Sequence, residues 1–267
     1  MGVLNVQKCK HKIKIELEKQ NKSNNINNNN NTMALNDYIT IVSIEGNIGS
    51  GKSTLLETLK TIFKENSNIV FLREPVDEWE KIKDKDGNTM LQKFYANQQE
   101  YSFAFQMMAY ISRLTILRET VRDITKKKEK NNNKDKYIII TERSLYTDKY
   151  VFAKMLYDQG KIEHVKYQIY LNWFDEFAKD FPVNDIIYVN TDPKKCYERI
   201  HKRARVGEEV IPLAYLSACH DYHNAFLDEI TGIRATQLVL NGNLDIFQNS
   251  QVVNDWIVLI KQFLQIE

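Results

Sequence analysis

The octapeptide Gly46-Asn47-Ile48-Gly49-Ser50-Gly51-Lys52-Ser53 satisfies GxxxxGK[ST] in full. Its chemistry is phosphate binding. Glycines let backbone N–H groups turn inward around phosphate oxygens, and the N-terminus of a following helix adds its positive end. Lys52 is expected to reach the β and γ phosphates and the Ser53 hydroxyl to ligate Mg²⁺, with Thr54 counted among the phosphate-binding residues. Two acidic–basic pairs close apolar runs elsewhere: Arg73-Glu74-Pro75 follows IVFL, and Glu142-Arg143-Ser144 follows YIIIT. A carboxylate at the C-terminal end of a parallel strand points into the crevice where such sheets bind ligands. Glu74 is therefore a candidate general base for an acceptor hydroxyl. Glu142 is a candidate metal ligand, directly or through water, and Arg143 a candidate contact to the transferring phosphate. Neither a GTPase nor a motor-type ATPase is indicated. The N/T-K-x-D base-reading motif is missing, and YIIIT is followed by Glu142 rather than Asp.

The elements that must carry these residues alternate. Tyr38–Glu45 predicts a buried strand, and Lys52–Glu65 a helix through Leu55, Leu56, Leu59, Ile62 and Phe63. Ile69–Leu72 predicts a second strand, and a long helix is expected from about Gln98 to Lys127. Tyr137–Thr141, Asp185–Asn190 and Gln237–Leu240 are apolar, as strands covered on both faces should be. The polar run Lys126–Lys136 predicts a solvated insertion rather than a nucleic-acid patch. Together these imply an α/β fold, a parallel sheet of about five strands wrapped by helices.

Composition sets outer limits. The 267 residues are 43% hydrophobic and 27% charged, with a net charge of +2, too balanced for a protein that coats nucleic acid or an anionic membrane. Cys9, Cys196 and Cys219 lack CxxC spacing and fit neither a disulfide scaffold nor a zinc site. No apolar run is long enough to span a membrane. Residues 21–31 hold eight Asn in eleven positions, so 1–36 is expected to be a disordered Lys/Asn-rich tail before a single domain over 37–267. The tail has no apolar signal-peptide core and no Arg, which favours a cytoplasmic location over a mitochondrial one.

Gly46–Ser53, Glu74-Pro75-Val76 with Trp79, Phe105-Gln106, Ser112-Arg113 and Glu142-Arg143-Ser144 together resemble the deoxyribonucleoside kinase family. Arg199-x-x-x-Arg203-x-Arg205 and Ile211-Pro212-Leu213 with Tyr215 extend the resemblance, which covers roughly 38–247. It implies a P-loop kinase fold with an arginine-rich lid, ATP and Mg²⁺, a homodimer formed through helices, and phosphorylation of a nucleoside 5′-hydroxyl. By that resemblance Glu74 is the base, held by Arg143, while Glu142 and Ser53 organise Mg²⁺. Gln106 faces the polar edge of the base, and Arg113, two helical turns on, leaves the same face. Phe105 and Phe152 sandwich the base, Trp79 walls the pocket, and Tyr95 and Glu208 hold the sugar 3′-hydroxyl. Arg199, Arg203 and Arg205 close over the phosphates.

In that family, Arg113 paired with Asp148 marks the deoxycytidine and purine enzymes. A charged pair narrows the room for a thymine methyl and offers donors and acceptors to purine ring atoms. A purine deoxynucleoside is expected, deoxyguanosine slightly ahead of deoxyadenosine and deoxycytidine behind them, with Met107 and Ala109 tuning the choice. One departure concerns the donor: the family usually has an Asp after the last strand, where this chain has Leu240-Asn241-Gly242-Asn243. Competing readings are a nucleoside-monophosphate kinase of thymidylate kinase type and a non-catalytic nucleotide-binding subunit.

Overall fold

A computed structural model describes residues 37–131, 135–205, 207–231, 235–244 and 250–266. The expected tail at 1–36 lies outside them. Five strands form one parallel sheet: β1 (Ile39–Glu45), β2 (Ile69–Leu72), β3 (Tyr137–Glu142), β4 (Asp185–Asn190) and β5 (Thr236–Asn241). Their order is β2-β3-β1-β4-β5. The central strands are apolar on both faces because both faces are covered. Ile39 and Ile41 of β1 join one core with Ile139 and Ile186, while Val42 and Ile44 join another with Ile140 and Ile187. At the edge, β5 is open enough that Val239 is half exposed.

The register brings the strand tips level. Ile44 lies beside Glu142 and Leu72 beside Thr141, so Gly46, Glu74 and Glu142 emerge along one crest. Because β3 and β4 flank β1 on opposite sides, the crevice opens above β1, where sheets of this kind take ligands.

The helices on this frame are α1 (Lys52–Ile62), α2 (Val76–Trp79), α3 (Met90–Ala96), α4 (Gln98–Asn131), α5, α6 (His164–Phe177), α7 (Pro193–Arg203), α8 (Leu213–Ile230) and α9 (Ser250–Leu264). The composite α5 begins as α-helix over Leu145–Thr147, widens to a π-helix over Asp148–Ala153 and ends as α-helix over Lys154–Asp158. Gly51 precedes α1 at φ 105 with no side-chain cap, which leaves the first N–H groups of α1 free for an anion. By contrast α3 carries a full capping box between Thr89 and Gln92. The helix α4 runs to Asn131 and so takes in half of the stretch expected to be a solvated insertion. Lys and Glu are strong helix formers, and nothing in KKKEK breaks the turn.

Candidate functional site

A cavity of about 570 Å³ runs along the crest from the loop before α1 to the wall made by α3, α4 and α5. Ile48, Gly49, Ser50, Gly51, Lys52, Ser53 and Thr54 line it. Gly46 and Asn47 do not; they brace the loop from behind. The Gly46 carbonyl accepts from Arg143 Nη1 at 2.6 Å, and the Asn47 amide donates to the Leu216 carbonyl of α8 at 2.8 Å. Lys52 Nζ donates to the Asn47 carbonyl at 2.7 Å. Burial, reinforced by the Arg143 charge, lowers the Lys52 ammonium to about 7 against the opposing pull of Glu142 and Glu74.

Ser53 Oγ donates to Glu142 Oε1 at 2.5 Å, and the other Glu142 oxygen faces the Glu74 backbone N–H at 3.4 Å. Two hard oxygen donors side by side, Ser53 at the phosphate loop and Glu142 at the tip of β3, fit Mg²⁺, which takes one or two protein oxygens and completes its shell with water and phosphate. Among the described residues no cluster of three or more His, Cys, Asp or Glu offers a site for a different metal.

Glu74 sits where both arginines converge. Its Oε1 meets Arg113 Nη2 at 3.0 Å and Arg143 Nε at 3.3 Å. Burial pushes its carboxyl up, but Arg143, Arg113 and Lys52 outweigh burial and hold it down to about 2. Arg143 adopts φ 67, a left-handed backbone that non-glycine residues enter only when their surroundings fix them. The fixing is visible: Ser144 N–H donates to the buried carboxylate of Glu45 at 2.9 Å, and the Arg143 N–H to the Ile44 carbonyl at 3.0 Å.

Arg113 carries more than the sequence suggested. Besides Glu74, it pairs through Nε with Asp148 Oδ2 at 3.0 Å and donates through Nη1 to the Glu142 carbonyl at 2.9 Å. Burial pushes the Asp148 carboxyl up to about 6, against the pull of Arg113. Gln106 lines the same wall, and among the described residues its amide makes no hydrogen bond. Ala109 lines the cavity as expected, whereas Met107 packs against the core and does not.

The aromatic wall is more layered than a two-ring sandwich. Phe105 stacks on Phe94 at 4.5 Å and meets Trp79 edge-on at 5.7 Å, and Trp79 donates to Ser112 Oγ at 2.8 Å. Phe152 also lines the cavity, with the Arg143 guanidinium 4.9 Å from its ring centroid. Tyr95 meets Tyr215 edge-on, and burial first, then the charge of Glu208, raises its hydroxyl pKa well above the usual tyrosine value. Glu208 is paired with both Arg203 and Arg205, the latter at 3.2 Å. Arg199 ties the phosphate loop to the far end of the cavity, donating to the carbonyls of Ser50 and Leu244, each at 3.2 Å. In the departing stretch after β5, Asn243 is spent on Asp192, accepting its N–H at 2.8 Å. Gly242, Leu244 and Trp256 line that end of the cavity instead. Sequence reasoning missed Glu45, Phe94, His223 and Trp256. Only Glu45, a charge at a strand tip beside the loop, carried a signal that could have found it.

The sequence profile of the Deoxynucleoside kinase family matches residues 42–265. The chain belongs to that family. It is 32% identical over 204 residues to mitochondrial deoxyguanosine kinase of Xenopus laevis, covering 71% of this chain and 74% of that protein. It is 35% identical over 214 residues to a probable deoxycytidine kinase of Fowlpox virus (78% and 81%). It is 32% identical over 190 residues to mitochondrial thymidine kinase 2 of Homo sapiens (70% and 64%). As a member of the deoxynucleoside kinase family, the chain is a nucleoside kinase. Among the described residues no helix is long and apolar enough to cross a membrane.

Proposed function

We propose that the chain transfers the γ-phosphoryl group of ATP to the 5′-hydroxyl of a purine deoxyribonucleoside, deoxyguanosine ahead of deoxyadenosine, with deoxycytidine a weaker substrate. One observation carries this reading: the Glu74 carboxylate lies between the phosphate loop and the wall bearing Gln106, Arg113 and Asp148. A nucleoside laid along that wall brings its 5′-hydroxyl to Glu74 and its base to Gln106. Glu74 holds the hydroxyl and accepts its proton, and Arg143 and Arg113 fix the carboxylate. A base held to about 2 accepts that proton late, which suits a loose transition state in which the phosphoryl group needs little help from a strong nucleophile. Lys52, Arg199, Arg203 and Arg205 balance charge on the phosphates. Mg²⁺, held by Ser53 and Glu142, would supply further neutralisation of that charge. Tyr95 and Glu208 receive the sugar 3′-hydroxyl.

The base preference rests on the Arg113–Asp148 pair in the cavity wall. The relatives' names span guanosine, cytidine and thymidine, so substrate turnover decides it. The test is phosphorylation by Mg·ATP of deoxyguanosine, deoxyadenosine, deoxycytidine and thymidine in parallel. A purine deoxynucleoside with the highest kcat/KM supports the reading, and thymidine first overturns it.

Two further proposals concern assembly and place. Val165, Ile169 and Trp173 leave one face of α6 exposed, with Ile111 of α4 also exposed. An apolar helix face of this kind supports a homodimer formed through helices. A cytoplasmic location is the second proposal, tested by imaging the full-length chain.

A further inference from the structure

We infer that His223, which lies behind the cavity wall, is a positioning residue that holds Arg143 against Glu74 and Phe152 against the nucleoside. The inference rests on the roles proposed above for Arg143 and Phe152. His223 is wholly buried on α8 and does not line the cavity. Its Nδ1 lies 2.7 Å from the Cys219 carbonyl oxygen. A carbonyl only accepts, so Nδ1 carries the proton, and Nε2 presents a lone pair to Arg143 Nη1 at 3.5 Å. Burial, then the Arg143 charge, holds the imidazole pKa well below its usual value, so the lone pair is present throughout the neutral range.

The same ring meets Phe152 edge-on at 5.9 Å and 88°. His223, Arg143 and Phe152 therefore touch pairwise, since the guanidinium also lies 4.9 Å from the Phe152 centroid. The two protons of Arg143 Nη1 have separate destinations, one the Gly46 carbonyl at 2.6 Å and the other His223 Nε2. Without an acceptor at 223, that second proton is buried and unsatisfied, and the guanidinium gains a reason to swing off Glu74. Without a ring at 223, Phe152 loses its edge contact and the base loses a fixed plane. One buried histidine thus serves two ends of the reaction through two different atoms. A histidine that merely fills the core has no such division.

Three full-length variants separate the two contacts. His223→Gln restores an acceptor near the Nε2 position but not the ring, His223→Phe keeps the ring but not the acceptor, and His223→Leu keeps neither. With deoxyguanosine and Mg·ATP, His223→Phe is expected to lower kcat about tenfold with nucleoside KM within about twofold. His223→Gln is expected to keep kcat within about threefold while nucleoside KM rises about fivefold, and His223→Leu to show both changes. Equilibrium dialysis of deoxyguanosine should follow the KM values. Parallel movement of kcat and KM in all three variants overturns the proposal. So does an unchanged kcat in His223→Phe, or the failure of all three to fold, either of which makes His223 a packing residue. If the unaltered chain turns over no nucleoside, it is the underlying reading that fails.

Discussion

Replacing Glu74 by Gln tests the acceptor end of the site most directly. The amide keeps the shape and one acceptor but removes the charge on which Arg113 and Arg143 converge at 3.0 and 3.3 Å. A positioned base contributes about 10²–10⁴ in rate, and a carboxylate held as low as Glu74 sits at the weak end of that range. The expected loss in kcat is therefore about 100-fold, or about 2.7 kcal/mol of barrier. Stability also falls, because stripping a partner from a buried ion pair costs about 3–5 kcal/mol. Here the cost is smaller: Arg113 keeps Asp148 and the Glu142 carbonyl, and the Glu74 side chain is 18% exposed. About 1–2 kcal/mol remains, which lowers Tm by roughly 5 °C in a chain of this size. Initial-rate kinetics with deoxyguanosine, alongside thermal melts, read both quantities. A folded variant with kcat within about threefold of the unaltered enzyme refutes Glu74 as the base.

Four other outcomes are expected. Phosphates favour the charged form of Lys52, so ATP binding near pH 8 should take up about one proton, visible by calorimetry in buffers of different ionisation heat; zero uptake contradicts it. Asp148, pushed up to about 6, holds its proton more tightly folded than unfolded, so its stabilising contribution is present below about pH 4 and lost as pH rises through 6. The ionised pair with Arg113 forms over that same rise, so nucleoside KM should fall through pH 6 while kcat stays level. Asp148→Asn should flatten that KM profile. Gly49→Ala would place a Cβ 2.7 Å from the Cys196 carbonyl oxygen at φ 77, and denaturant melts should show a loss of about 2–4 kcal/mol. Trp173→Lys, at a half-exposed site on α6, should convert a dimer to a monomer in sedimentation; an unaltered chain that is already monomeric removes the dimer proposal.

The phosphate loop and all five strands were legible because a motif and an apolar run are local signals. Gln106 and Arg113 on one helix face followed from periodicity alone. What stayed hidden depends on how elements meet. The triple engagement of Arg113 needs α4 laid across the tips of β2 and β3, and no spacing encodes that contact. The stack of Phe105 on Phe94 joins two helices whose packing the sequence does not state. The π-helix at Asp148–Ala153 is an extra residue accommodated by tertiary packing, not by any local preference of DKYVFA. His223 looked like any histidine on an apolar helix. At KKKEK the helix only outruns its expected end at about Lys127: the stretch is solvated, as expected, but its residues extend a helix as readily as any.

Arg113 also sets the terms on which this enzyme could be re-engineered. The guanidinium that pairs with Asp148, on the proposed nucleobase wall, is the one that anchors Glu74, the proposed base. On the proposed roles, a library that removes Arg113 therefore loosens Glu74 in the same step, leaving it the ion pair with Arg143. Directed evolution toward a new nucleobase should accordingly begin at Ala109 or Gln106, which line the cavity outside the Arg113 ion pairs. Arg113 should change only after a second anchor for the carboxylate is in place. Selectivity in this scaffold is then acquired in a particular order, and a screen that ignores the order will recover mostly slow enzymes.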